Sequence, residues 1–461
     1  MRRLLKSLGY FPLSFIVVLF CVATVLQACG GPSTSNSNGP VTITVAFQQF
    51  GPPPYPEQAW WTAVKQRVEA ANPNIKVKLE PIIASEGDYY TKLDLMMRSS
   101  STAPDLVRED SFLVSSDVTA GYLAPLDKYL ATWPEYSQQW FPSMQKISTF
   151  NGHNYGVMDG TDVRLVWYNK SVFQKAGLPT NWQPQSWADI LAASRAIKAK
   201  VPGVIPLNLY SGVPMDEASS MQGFEMLLYG TKNPLYDYTT NKWVTPSQGL
   251  LDALNFVKQV YNPSDLLGPT NDIALSTQAA NTIDQQLIPQ GKVGIDIDGS
   301  WVSSNWYPTG PSPWPQWQQT MGVAKMPTEF GQAPNYVTLS GGWAYSITSR
   351  STHPNQAFQV IKTAFSQDLL ASYDVQAGQV TPRQDIVNVP AYHNAPLSSF
   401  YTSLVAFSQF RPAFTAYPKI SLQIDNAMQQ VMSGQSPSTV VTSFSQAVSS
   451  IAGSSNIEQG T

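Results

Sequence analysis

The chain has almost none of the residues that carry covalent and metal chemistry. It has two cysteines, Cys21 within an apolar N-terminal run and Cys29 just after it. A chain cut between them keeps only Cys29 at its start, so the fold itself has no thiol for a disulfide, a nucleophile or a Cys-ligated metal. His153, His353 and His393 show no metal spacing, and H-E-x-x-H is absent. There is no G-x-S-x-G. Gly291-Lys292 lacks the earlier glycine of a phosphate-binding loop, since Gln286 stands there. Charge is sparse at 13% of residues, with no basic stripe, so nucleic acid is not an expected partner. No repeat of 20 to 50 residues is visible. These absences do not exclude glycoside hydrolysis, because its two carboxylates need not be close in the chain.

What is present begins with a leader. Arg2, Arg3 and Lys6 precede a nearly apolar run from Phe11 to Leu26. That run suits a secretory signal better than a membrane span. The expected divisions are a signal peptide over 1–28, then Cys29 and a flexible tether over 29–40, rich in Gly, Ser, Asn and Pro. A plain secretory leader or an uncleaved anchor is the alternative. Removing Arg2, Arg3 and Lys6 from the 28 basic side chains leaves 25 against 31 acidic ones, a balance of −6. Gln, Asn, Ser, Thr, Trp and Tyr are plentiful, which suits a neutral polar ligand. The part after residue 40 is long enough for two domains.

Val41–Phe47 alternates as a strand, 59–71 has a helical apolar face, and 75–80 alternates again. Strand, helix, strand at this spacing predicts a βαβ unit and a parallel sheet. Ala103–Val107 reads as a short strand with Arg108–Phe112 as the loop at its carboxyl end, where α/β sheets place ligands. Residues 151–157 form a hairpin feeding a strand over 161–168. Ser186 and Asp189 have the spacing of a capping box. Residues 210–221 read as a loop carrying Asp216 and Glu217. The stretch Gly291–Trp301 alternates Val293, Ile295 and Ile297 with Gly294, Asp296 and Asp298, a strand ending in Gly299-Ser300-Trp301. Its plain reading is a core strand with Trp301 packed inside. Asp296 and Asp298 share one side, but a pair without a third ligand is poor ground for a metal, and none is expected.

Several short pieces, in order, resemble the extracellular solute-binding proteins of bacterial ABC importers, in the group that binds sugars. They include Leu26-Gln-Ala-Cys29, Trp60-Trp61, Asn72-Pro-Asn-Ile-Lys-Val77, Pro104-Asp-Leu106, Gly121–Asp127, Tyr155-Gly-Val157, Trp167-Tyr-Asn-Lys170, Ser186-Trp187, Gly291-Lys-Val293, Gly341-Gly-Trp343 and Arg411-Pro412. The first of these resembles a lipobox, which implies a lipidated Cys29 at the outer face of the cytoplasmic membrane. The resemblance implies a class II periplasmic-binding-protein-like α/β fold, each lobe a mostly parallel sheet flanked by helices. The ligand cleft would lie at a hinge crossed near residues 157, 295 and 345. The implied lobes are 41–157 with 296–345, and 158–295 with 346–461. Met158 departs from the family, which commonly has proline there.

Within that family the chain looks most like trehalose- and maltose-type binders. The implied function is a receptor, not an enzyme, that delivers an α-linked disaccharide to an ABC permease. It would need no cofactor and act as a monomer. The implied ligand residues are Asp110, Asp162, Trp301, Gly342, Trp343, Arg411 and Tyr417, with Gln49, Glu217 and Asp298 in neighbouring loops. Aromatic rings would stack on sugar C–H faces, and charged side chains would meet hydroxyls. An envelope-anchored glycoside hydrolase remains the alternative, as does the same fold with a glycerol phosphoester or peptide ligand.

Overall fold

The computed structural model describes residues 39–460. The expected signal peptide, Cys29 and the tether as far as residue 38 lie outside the described residues. No helix among the described residues is long and apolar enough to cross a membrane.

The fold is built on two sheets. The first has the order 75–83, 41–49, 106–110, 343–347, 157–158. Its first three strands are parallel, as the βαβ spacing requires, and 343–347 alone runs against them, with 157–158 pairing antiparallel to it and so running with the first three. The second has the order 321–324, 164–169, 293–299, 205–208, with only the last pair parallel. The expectation of two mostly parallel sheets is thus met in strand direction, with one reversed strand in each sheet, 343–347 in the first and 164–169 in the second. Each reversed strand is the one that the chain forms on first entering the sheet from the other lobe.

Strand Val293–Gly299 lies wholly inside the second sheet, between 164–169 and 205–208. The crossing expected near residue 295 is therefore absent. The chain stays in the second lobe through Tyr336–Leu339 and crosses back just before Trp343–Ile347. Residues 296–339 belong with the second lobe, not the first. Conversely, helices Pro354–Ala364 and Gln367–Ala377 pack Phe358, Ile361 and Leu370 against Trp60 and Trp61 of the first lobe. The first crossing runs from Val157–Met158 to Arg164–Asn169, close to its expected place. The third is extended: Val380 joins a core of the second lobe, Ile386 and Tyr392 that of the first, and Tyr401 and Leu404 the second again.

Local chemistry sets the boundaries. Pro56 opens the helix Pro56–Ala71, where its missing N–H costs nothing, and Asn72-Pro73 ends it. The Ser186 N–H donates to Asp189 Oδ2 at 3.0 Å, so the predicted capping box forms. Ser247 caps Gln248–Val260 by accepting from the Leu250 N–H at 3.2 Å. Ile295 and Ile297 pack with Trp187, Leu254 and Ile424 on one face of the second sheet. Leu165, Trp167 and Val293 pack with Trp306 on the other. Each such apolar side chain stabilises the fold by about 1.5–3 kcal/mol on burial.

Candidate functional site

Between the two sheets lies a cavity of about 300 Å³, lined by side chains from both lobes. The first wall is the end of strand Leu106–Asp110. Arg108, Glu109 and Asp110 continue this strand rather than forming a loop. Alternation then puts Arg108 and Asp110 into the cavity and Glu109 on the opposite, fully buried face. Trp343 pairs with Asp110 across the sheet, and the Arg108 guanidinium stacks 4.8 Å from its ring centre. Behind the wall, Arg108 donates to Glu57 and Asp159 at 2.8 Å each and to the Tyr373 hydroxyl at 2.7 Å. Burial pushes the Glu57 carboxyl up to about 7 and Asp159 to about 6, with Arg108 opposing both shifts.

The second wall comes from the first crossing and from the end of Val293–Gly299. Arg164 lies 4.8 Å from the ring centre of Trp301 and pairs closely with Asp162. Asp162 also accepts from the Gly341 N–H at 2.9 Å. The Trp301 indole folds back over Gly299, where an added Cβ would come within 2.1 Å of the ring. Gly342 has φ +134° and sits so near Gly160 that a Cβ would meet that carbonyl oxygen at 2.5 Å. Only glycine lets the two crossings approach this closely.

Arg411 joins the walls. It donates to Asp110 at 2.6 Å and to Glu217 at 2.8 Å, with all three side chains buried. Asp216, at φ +49°, accepts from the Gly87 N–H at the start of helix Glu86–Met97. Both contacts link the lobes in a closed arrangement.

Eight of the ten residues expected at a ligand site line this cavity: Asp110, Asp162, Glu217, Asp298, Trp301, Gly342, Trp343 and Arg411. Two do not. Tyr417 is fully buried in the second lobe, its hydroxyl donating to Glu225 at 2.9 Å. As the first residue of helix Tyr417–Met432 it turns inward to pack on Phe112. Gln49 points away and donates to Gln58 at 2.8 Å. The first strand runs to residue 49, so alternation delivers Gln48 to the cavity instead. Missed altogether were Glu86, Arg108, Tyr210, Gln222 and Tyr373. Arg108 was within reach, since it is two residues from Asp110 on one strand. Glu86 and Tyr373 carried no local signal.

Asp298 brings a second feature. Its carboxyl, Asp296 and Asp284 hold oxygens within 4.8 Å of one another, all buried. Among the described residues this is the group whose donor atoms are close enough to share a metal ion. Their hydrogen bonds come instead from Asn208 to Asp296 at 2.8 Å, from the Tyr210 hydroxyl, which lies 3.0 Å from Asp298 and 3.3 Å from Asp284, and from the Gly299 N–H to Asp298 at 2.7 Å. Burial pushes Asp298 up to about 7.

The family model for bacterial extracellular solute-binding proteins matches residues 53–369. The chain belongs to this family. A binding protein of Brucella abortus is 25% identical over 408 residues, covering 87% of this chain and 90% of its own. Among solved structures, the GacH receptor of Streptomyces glaucescens, known unliganded and with acarbose, matches with a TM-score of 0.75 and 21% identity. It covers 89% of this chain and 98% of its own. An ABC transporter solute-binding protein of Thermotoga lettingae, bound to α-D-tagatose, matches with a TM-score of 0.74 and 23% identity, over 90% and 100%. The solute-binding protein therefore has the two-lobed fold, and its cavity lies where two lobes meet.

Proposed function

We propose that this solute-binding protein is an extracytoplasmic receptor that holds a saccharide between its lobes and passes it to an ABC permease, without chemistry on the ligand. The observation that carries the reading is the cavity lining. Trp301 and Trp343 are partly buried ring systems on opposite walls, set among Asp110, Asp162, Glu217, Gln48 and Gln222. Rings cover the C–H faces of a pyranose, and ionised side chains meet its hydroxyls, each such bond worth about 1.5–3 kcal/mol. The relatives bound to acarbose and tagatose support a sugar. An α-linked disaccharide such as trehalose or maltose is the favoured size. Closure follows because a ligand touching both walls binds the shut form better.

A phosphoester is disfavoured. The guanidiniums of Arg108, Arg164 and Arg411 are each already paired with carboxylates. Arg383 is buried away from the cavity, paired with Glu135 and Asp385.

Calorimetry and thermal-shift screening with trehalose, maltose, sucrose and longer glucans test the reading. Saturable binding with intact sugar recovered after long incubation is the expected result. No response to any saccharide would overturn it, and cleaved product would favour the hydrolase. Anchoring through Cys29 is part of the same proposal. Mass spectrometry of the membrane fraction should find acyl chains on Cys29, and a C29S variant should leave that fraction.

A further inference from the structure

A disaccharide carries oxygens of two kinds. Its hydroxyls can donate to carboxylates such as Asp110, Asp162 and Glu217 in the cavity wall. Its ring and linking oxygens have no proton, so they can only accept and need a donor in the wall. The guanidiniums of Arg108, Arg164 and Arg411 are each turned toward carboxylates.

Tyr373 is a donor of another kind. Helix Gln367–Ala377 carries it, and its ring stacks on Trp60 with centroids 4.5 Å apart and planes 16° from parallel. Trp60 belongs to the core of the first lobe, so the face of the Tyr373 ring is committed to that core. Its hydroxyl meets Arg108, a cavity side chain, whose Nη2–H donates to it at 2.7 Å. The phenol oxygen is therefore an acceptor within the protein, and Arg108 is its one hydrogen-bond partner among the described residues. The proton is left over. Other tyrosines buried around the cavity place theirs inside the protein. The Tyr89 hydroxyl donates to the Arg108 carbonyl at 2.6 Å, that of Tyr210 to Asp298 at 3.0 Å, and that of Tyr417 to Glu225 at 2.9 Å. Tyr373 is as buried as these, at 3% exposure. Burial, opposed by Arg108, holds its phenol well above the ordinary value, so the hydroxyl keeps its proton. A buried donor without an acceptor is destabilising. The side left for an acceptor is the cavity, which Tyr373 lines.

We infer that the Tyr373 hydroxyl, oriented by Arg108, donates to a protonless oxygen of an α-linked disaccharide, either a ring oxygen or the linking oxygen. The inference rests on the saccharide reading above. It makes Tyr373 a specificity residue, because a ligand with no acceptor at that point leaves the phenol proton buried and unpaired.

The test is a cycle between protein and ligand, read by calorimetry. Maltose is compared with three isosteres, each carrying a methylene group in place of one ring oxygen or of the linking oxygen. The unaltered protein should bind one isostere roughly tenfold more weakly than maltose, the margin of one hydrogen bond. Y373F keeps the ring that stacks on Trp60 and removes the hydroxyl. It should bind maltose about tenfold more weakly and that one isostere as well as the unaltered protein does. If maltose does not bind, trehalose replaces it, with isosteres lacking the linking oxygen or both ring oxygens. If Y373F does not fold, a crystal structure of the complex should place the hydroxyl about 3 Å from the oxygen whose replacement weakens binding. An equal loss for the parent sugar and every isostere marks a merely structural role and overturns the inference. So does an unchanged affinity in Y373F, a ligand hydroxyl at that point, or binding of other sugars but neither disaccharide, each leaving the saccharide reading intact. Binding of no saccharide at all removes the reading itself.

Discussion

The two walls of the cavity use the same parts in different ways. Each has an arginine stacked 4.8 Å from a tryptophan ring centre and an aspartate beside it. In the first wall both partners sit on adjacent strands. Arg108 is anchored by two buried carboxylates, and Trp343 packs against Tyr89 and Tyr90. In the second, Trp301 follows a strand, in the short helical segment Ser300–Trp306. Arg164 there has one carboxylate partner plus Gln222 at 3.2 Å. The first wall is part of its lobe's core, and the second is mounted on its lobe. Stability and recognition should therefore be fused in one and separable in the other.

The largest break in this comparison is expected from R108A. It strands Glu57 and Asp159 without their counter-charge, and removing one partner of a buried pair costs about 3–5 kcal/mol. Denaturant unfolding should show that loss. R164A should cost less, because it strands only Asp162. Next come the tryptophans. W301A should lose the ligand response, by about 1.5–3 kcal/mol of binding energy, at a nearly unchanged melting temperature. W343A should lose binding and stability together, since its aromatic contacts go too. A large drop in melting temperature for W301A would make both walls core.

A smaller effect concerns pH. Glu86 and Asp298 are raised to about 8 and about 7, mainly by burial. The folded protein then binds protons that the unfolded chain releases. Their contribution is fully present below the ordinary carboxylate range and is lost as pH rises through 7 to 8. Each group adds a slope of at most about 1.4 kcal/mol per pH unit. Urea unfolding at pH 5 and pH 8 should show the fall, and E86Q should flatten part of it. The smallest effect is expected from Q49A, which removes a hydrogen bond to Gln58 outside the cavity. It should cost about 0.5–1.5 kcal/mol of stability and leave ligand affinity unchanged.

The sequence made legible what depends on local periodicity. The βαβ start, the cap at Ser186 and the strand before Trp301 all follow from residue spacing. Lobe membership was not legible, because an apolar alternation does not say which sheet it joins. Val293–Gly299 alternates equally well on either side of a hinge, and only its pairing with 164–169 and 205–208 decides. At the site, Asp110 and Trp301 stand out beside turns. Tyr373 and Glu86 reach the cavity through packing of distant helices, which leaves no trace in spacing. Gln48 and Gln49 show how a strand that runs two residues further than expected turns neighbouring side chains to opposite faces, so that one reaches the cavity and the other does not.

Arg411 has one more consequence. Its two ion pairs hold a residue of each lobe, so opening the empty protein must separate at least one of them. The unliganded receptor should then keep a standing fraction in the shut shape, drawn together by its own counter-ion. Added salt should reduce that fraction, and with it the apparent affinity, without touching any contact the ligand makes.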